Sequence, residues 1–572
     1  MNSLSSRAEL RGSPLAPVAS EHGPGALQER VPTWALATAL AAVLGLAYVI
    51  VAPPSTDLAA AAYRSDLFSR VGFTLWDNSW YGGHHLPAYS VLAPALGAWL
   101  GPQLLAALSA VAASALFALL IDGHFPARAT RIAALWFALG VSVELLSNRI
   151  PFDLGLALGL GALLAARVPR ERYVLRGLAV VLAVLCALAS PVAGAFLALA
   201  FLAWALAGRP RAWPIVLTLT ALAPIALLAL AFPEGGSQPF VASAFYPALG
   251  AVLVIAALIL RAGRDHSDGP LEERPRVLLI GTLLYAAALL GAFLIPTAVG
   301  GNADRLGALL AGPLAACVLM PRRPHLLLLL APLLLYWQVK APITDNASAA
   351  SDPAVHASYY TPLLEELRML GVGYSERPAR IEIVPTRNHW EARWVAPHAM
   401  LARGWERQLD QGRNALFYDE SRTPLTPTRY RAWLFEEAVS YVALSGGPLD
   451  YSGKAEAKLL RGGGLSYLRE IWRSTHWQLF AVLGATPLAQ APAVLTSAST
   501  DSFTLSEPRP ESTTVRIRFT PYWAVLDGNG CVREAPGGWT EVQARAAGSL
   551  HIGIDFSLVR IFDHGPRCSR GS

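Results

Sequence analysis

A polytopic α-helical membrane protein with a C-terminal soluble α/β and β-rich domain is the fold class that the sequence predicts. Three observations predict it. Of 572 residues, 54% are hydrophobic and only 15% charged, with a mean hydropathy of +0.40. Nearly all of the apolar excess lies between Trp34 and Gln338, in runs of bilayer-crossing length parted by short polar breaks. After Lys340 the composition becomes that of an ordinary soluble domain.

Residues 1–32 are polar and rich in Ser, Pro, Gly and Arg, which predicts a disordered tail. They hold no apolar core of a cleavable signal, and the first apolar run ends in Pro53-Pro54 rather than in a small-residue cleavage site. About eleven spans follow within a membrane domain over 33–341: 33–52, 101–121, 128–146, 151–167, 173–190, 192–208, 213–232, 242–260, 276–296, 305–320 and 325–339. Fourteen arginines fall in loops on the side of the N-terminal tail, among them Arg128, Arg167, Arg209, Arg261 and Arg322. The opposite side holds four: Arg64, Arg70, Arg149 and Arg305. This bias predicts a cytoplasmic N-terminus and an extracytoplasmic C-terminal domain. It also accounts for the net charge of +6 without invoking nucleic acid. Arg in excess of Lys, with abundant Ala and Gly, suggests a GC-rich bacterial genome and hence the bacterial cell membrane.

Ionisable residues outside the cytoplasmic loops gather at the external rim. Asp57, Arg64, Asp66, Arg70, Asp77, His84 and His85 lie in the first external loop, 53–100. Glu144, Arg149 and Asp153 flank the turn between the third and fourth spans, and Asn302, Asp304 and Arg305 precede the tenth. Charges near the apolar slab are costly and imply a functional or structural partner. Most spans carry none at mid-depth, which disfavours a transporter and favours chemistry at the outer surface.

Within the first loop, Thr56 can cap a helix that begins at Asp57 and is amphipathic through Val71. By position alone Asp57 is a favourable first-turn acid. Trp76, Trp80 and Tyr81 suit either sugar stacking or an interfacial aromatic belt. His84-His85 lacks the further ligands that a metal site would need.

Beyond 341, the sequence predicts an α/β part over 342–492 and a β-rich part over 493–572. Helices are expected over Tyr359–Leu370 and Thr428–Ala443, and strands over Ala379–Val384, Thr513–Thr520 and Ser549–Ser557. Cys186 and Cys317 fall inside apolar spans, whereas Cys531 and Cys568 are the pair in the soluble part and are expected to form a disulfide. No nucleophile elbow or phosphate-binding loop is present.

Asp57 after the first span, the loop Trp80-Tyr81-Gly82-Gly83-His84-His85 and the lead Tyr89-Ser90-Val91-Leu92-Ala93-Pro94 into the next helix resemble the GT-C superfamily of membrane glycosyltransferases. Within it, the chain resembles bacterial multi-span proteins labelled 6-pyruvoyl-tetrahydropterin synthase-related or YfhO-like. The segments Arg380–Pro385, His389-Trp390-Glu391, Ala402–Asp410, Tyr467-Leu468 and His476-Trp477 add to the likeness, although no zinc-binding His cluster supports the pterin label. The resemblance implies a GT-C-like fold and transfer of a sugar from a polyprenyl-phosphate donor, with Asp57 as general base. The acceptor would be a cell-envelope glycan, lipid or protein. Arg149, Arg305, His84 and Arg64 are the implied candidates for the lipid phosphate, in that order, with Asp66, Trp80 and Tyr81 completing the substrate site. The family's paired acidic motif is here a lone Asp57 before Leu58, leaving Asp66, Asp77 or nothing as the second acid. No cofactor is certain, and a divalent cation stays open. A lipid flippase or transporter and a non-catalytic envelope scaffold remain as alternatives.

Overall fold

The computed structural model describes residues 31–169, 171–208, 210–264, 273–375, 377–418 and 424–568. The chain divides into Met1–Pro32 and Thr33–Ser572, and the expected N-terminal tail lies almost wholly outside the described residues.

Thirteen helices carry the first part: α1 (Thr33–Val51), α2 (Thr56–Val71), α3 (Ala93–Leu100), α4 (Pro102–Ile121), α5 (Ala127–Glu144), α6 (Ile150–Ala166), α7 (Tyr173–Ala189), α8 (Pro191–Ala207), α9 (Ala212–Ala231), α10 (Ala242–Arg264), α11 (Glu273–Leu294), α12 (Arg305–Leu319) and α13 (Pro324–Ala350). Each of the eleven apolar segments is one helix. Seven of them (α1, α4, α5, α9, α10, α11 and α13) are long and apolar enough to cross a membrane, and α6, α7 and α8 are shorter apolar helices. The protein is a membrane protein. Small residues make the close helix contacts. Ala37, Ala41 and Gly45 of α1 and Ala106, Ala110 and Ala113 of α4 are buried, and Gly45 backs onto Ala107. Without a hydrophobic force between helices in lipid, such small-residue seams let backbones approach. Leucines such as Leu46, Leu219 and Leu329 point outward.

α13 extends past the expected end at 339, to Ala350. The apolar stretch ends near Val339, but the helix continues through Asp345, held by Asn346 Nδ2, which donates to Pro54 O at 3.1 Å.

The remaining chain forms two layered units. Helix α14 (Ala357–Met369) leads into a five-stranded sheet of β3 (Arg380–Ile383), β4 (Met400–Leu401), β5 (Val439–Ser445), β6 (Leu468–Arg473) and β7 (Trp477–Val482), in the order β4-β3-β5-β7-β6. Strands β1 (Trp76–Asp77) and β2 (His84–His85) form a hairpin within the first loop. Eight short strands, β8 (Val494–Ala498), β9 (Ser502–Glu507), β10 (Ser512–Arg518), β11 (Trp523–Asp527), β12 (Gly530–Ala535), β13 (Trp539–Ala544), β14 (Gly548–Ile554) and β15 (Arg567–Cys568), form two four-stranded sheets, β10-β13-β12-β15 and β11-β14-β9-β8. Both sheets feed one core of Leu505, Val515, Trp523, Val532, Val542 and Ile552. Cys531 and Cys568 face each other in the β12–β15 register and are joined by a disulfide.

One expected helix is corrected. Residues 428–443 do not form one helix: it runs Pro427–Glu436, and 439–445 are strand β5. Ala438 adopts φ 51° and ends the helix, and the Val439–Ser445 strand is buried on both faces in the sheet interior, where a continuous apolar run suits a strand.

The first loop is part of the C-terminal domain's architecture. Leu401 N–H donates to Ser79 O at 2.8 Å and Tyr81 N–H to Leu401 O at 3.1 Å, so the loop extends the sheet beside β4. Arg518 N–H donates to Gly82 O at 2.7 Å. Tyr81, Gly82 and Gly83 all have positive φ, and a Cβ on Gly83 would lie 2.3 Å from the Trp76 ring.

Candidate active site

Ser55, not Thr56, caps α2. Its hydroxyl accepts from Leu58 N–H at 3.2 Å and donates to Ser147 O at 2.9 Å. Asp57 therefore stands in the first turn, at the positive end of the helix dipole. The backbone before it is clamped by the C-terminal domain. Trp390 Nε1 donates to Ser55 O (3.2 Å), Trp405 Nε1 to Thr56 O (2.8 Å), and the Thr56 hydroxyl to Asn388 Oδ1 (2.8 Å).

Arg149 comes from the turn between α5 and α6. Asn148 takes a left-handed conformation (φ 56°) there, bonded by the Tyr48 hydroxyl, and this turn aims Arg149 back at Asp57. The guanidinium meets three carboxylates: Asp57 Oδ2 at 3.4 Å, Glu144 Oε1 at 2.9 Å and Asp345 Oδ2 at 3.1 Å. Burial alone would lower the Arg149 pKa, but Glu144, Asp57 and Asp345 hold it above its ordinary value. Burial raises the Asp57 pKa, Arg149 and Arg305 pull it back, and Asp345 and Glu144 push it up again. The net effect is a carboxyl group more basic than an ordinary aspartate.

Arg305 opens α12, and its Nη2 donates to Asn302 Oδ1 at 2.6 Å. Its guanidinium lies 5.5 Å from the Phe152 ring. Arg149 and Arg305 line one cavity of about 160 Å³ with Glu144, Phe152, Asn302, Asp304, Trp337 and Gln338. Trp337 Nε1 donates to Asp304 Oδ1 at 3.1 Å, fixing that wall. Asp57 itself stands behind Arg149 rather than in the lining, with 22% of its side chain exposed.

The other expected site residues are elsewhere. Arg64 is buried, ion-paired with Glu406 and packed over the Tyr89 ring at 4.3 Å, and does not line the cavity of Arg149 and Arg305. Asp66 pairs with Arg393, and Asp77 accepts from the Tyr63 hydroxyl at 2.9 Å, so neither is the second acid beside Asp57. Glu144 and Asp345 occupy that position instead. Trp80 and Tyr81 are fully buried between the loop and the C-terminal domain, with Trp80 stacked on Tyr63 and His84, which leaves no ring face for a sugar. Trp76 is buried against Trp523, not at a membrane interface. His84 Nδ1 faces Asp77 O at 3.2 Å. Among the described residues, no three His, Cys, Asp or Glu side chains are grouped to hold a metal ion, and the acids around Asp57 share one guanidinium.

The reading from sequence missed Asp345 altogether. It lies past the apolar run, where composition reads as soluble domain, and only the continuation of α13 returns it to Arg149.

No protein-family model matches the chain, and no curated protein sequence does. Solved structures do. The apo oligosaccharyltransferase of Archaeoglobus fulgidus superposes with a TM-score of 0.51 at 12% identity, over 95% of this chain and 96% of that one. The chain has a GT-C-like fold. The oligosaccharyltransferase AglB of the same archaeon, with an inhibitory peptide and a dolichol phosphate, gives a TM-score of 0.48 at 12% identity, over 94% of this chain and 95% of that one. A mycobacterial arabinofuranosyltransferase, AftD, gives 0.43 at 13% identity over 91% of this chain. The chain spans 60% of the length of that transferase. The comparisons do not confirm the narrower pterin-synthase-related or YfhO-like label.

Proposed function

We propose that this protein is a membrane glycosyltransferase that moves a sugar from a polyprenyl-phosphate donor to a cell-envelope acceptor at the outer membrane face. The observation that carries the reading is the convergence of Arg149 and Arg305 on one cavity beside Asp57, on a fold shared along its length with an oligosaccharyltransferase. The chemistry needs two things that these residues offer. Asp57 takes the acceptor hydroxyl proton as that oxygen attacks the anomeric carbon. The bond from that carbon to the phosphate oxygen breaks, the phosphate keeps the electron pair, and guanidinium charge stabilises it. Arg305 is the stronger phosphate ligand of the two, because three carboxylates already engage Arg149. This inverts the order expected from sequence.

A transporter gains no support from the spans. Ser109, Ser114, Ser142 and Thr218 donate to carbonyls of their own helices rather than lining a polar path. The reading is tested by reconstituting the full chain with polyprenyl-phosphate sugars extracted from its source membranes and following loss of the lipid-linked sugar with acceptor membranes present. Consumption by the wild type that disappears in Arg305→Ala supports it. Equal consumption by the two proteins overturns it.

A further inference from the structure

The C-terminal β unit carries an apolar loop that fits neither its own core nor the catalytic reading. Residues Phe556–Phe562 (Phe-Ser-Leu-Val-Arg-Ile-Phe) follow β14 and contain a single helical turn, Leu558–Ile561. Within it Leu558 is 70%, Val559 69% and Phe562 82% exposed. A cluster of large apolar side chains turned outward from a soluble unit marks a docking surface rather than ordinary surface.

The loop's position names what it docks against. Tyr522, just before β11, donates its hydroxyl to Ala231 O at 2.6 Å, and Ala231 is the last residue of α9. Phe232 then packs against Tyr522 and Phe556, with ring centroids 5.8 and 6.1 Å apart. Leu75 of the first loop and Ile561 of the apolar loop pack on the same cluster. The polar chain resumes at Glu234, which pairs with Arg413 at 2.9 Å, so the lip of the apolar slab lies between Ala231 and Glu234. The exposed side chains of 558–562 therefore leave the protein at the height where a membrane-crossing helix ends. Phe73 of the first loop is exposed as well, two residues from Leu75.

We propose that Leu558, Val559 and Phe562 insert into the headgroup–acyl boundary of the bilayer and anchor the β unit to the lipid beside α9. Aromatic and aliphatic side chains at that depth are what interfacial anchors use. Arg560, between them, turns inward: its Nε donates to Pro521 O at 2.9 Å and its Nη2 to Gly565 O at 2.8 Å. The one charge in the run is thus withdrawn from the lipid-facing side and holds the turn.

The test is a depth measurement on the full chain in phospholipid nanodiscs. Nitroxide is attached to Phe562→Cys and, in a second protein, to Leu558→Cys, because loss of one variant then leaves the other. The control is Val494→Cys, exposed on β8, the edge of its sheet farthest from β11. Native cysteines do not interfere, since Cys186 and Cys317 are buried and Cys531 is joined to Cys568. The expected result is preferential collision with oxygen at 562 and 558 and with a water-soluble nickel chelate at 494. Nickel access at 562 and 558 equal to that at 494 would put the loop in water and overturn the proposal. Poor access to both reagents would put a protein partner over the loop and overturn it equally.

Discussion

At the scale of single residues, the proposed function gives Asp57, Arg149 and Arg305 different tasks from those that charge alone suggests. Asp57→Asn keeps the shape of the side chain but removes the base. It is expected to abolish sugar transfer while leaving expression and melting temperature unchanged, as measured by product analysis of membranes at matched protein levels. Arg305→Ala should cost on the order of 10²–10³ in turnover, the range for losing one transition-state charge contact, and Arg305→Lys should recover only part because the planar fork is lost. Arg149→Ala should behave otherwise. It removes the one cation that three half-buried acids share and leaves Asp57, Glu144 and Asp345 facing one another, whereas Asp57→Asn leaves Arg149 paired with Glu144 and Asp345. The melting temperature of Arg149→Ala should fall where that of Arg305→Ala does not, and equal melting temperatures would remove the distinction. The sequence showed Asp57, Arg149 and Arg305 because charge beside an apolar run is conspicuous. It hid Asp345 because membership of the cluster depends on how far α13 continues, and no local signal fixes that.

At the scale of elements, the apolar helices were legible because runs of apolar residues mark them, although not how far α13 continues, whereas the aromatic loop was not legible. Trp80, Tyr81 and His84 read as a surface for sugar only while the C-terminal domain that covers them is unknown. That domain also positions α2, through the segment Asn388-His389-Trp390-Glu391. His389 is buried with Nδ1 at 3.4 Å from Glu391 Oε1 and Nε2 at 3.7 Å from Asp450 Oδ2. Arg407 shares Asp450 at 2.9 Å and approaches Nε2 to 3.4 Å. Burial alone would lower the imidazole pKa, but the carboxylates of Asp450 and Glu391 push it up to about 9. A folded pKa above the unfolded value of about 6.5 means stability that is complete below that value and lost as pH rises through about 9, on the order of 3 kcal/mol. The melting temperature of the wild type should therefore fall between pH 7 and pH 10 relative to His389→Gln. Parallel pH profiles for the two proteins would exclude this charge cluster as the cause.

At the scale of the whole molecule, the two halves are one structure because loop 53–100 is stitched to strand β4 and to Arg518, an arrangement that composition, which divides the chain near 341, cannot reveal. The β unit is closed by Cys531–Cys568, whose 37-residue separation corresponds to about 4 kcal/mol in the chain-entropy account. Non-reducing mass spectrometry should recover the joined peptide, and free thiol at both positions would contradict it. The same stitching bears on topology. Helix α1 has 19 residues, about 28 Å at 1.5 Å per residue, enough to cross the hydrocarbon core. Its C-terminal end leads directly into α2, whose start is bonded to Trp390, Trp405 and Asn388. With α1 crossing the membrane, as we propose, the first loop and the C-terminal domain lie on one side and Thr33 on the other. In the proposed topology the arginine bias of fourteen against four puts Thr33 on the cytoplasmic side. A membrane-impermeant thiol reagent applied to intact cells should therefore label Val494→Cys and spare Thr33→Cys until the cells are opened. Labelling of both from outside would mean that α1 does not cross, and would remove the outer-leaflet position that the proposed function gives Asp57.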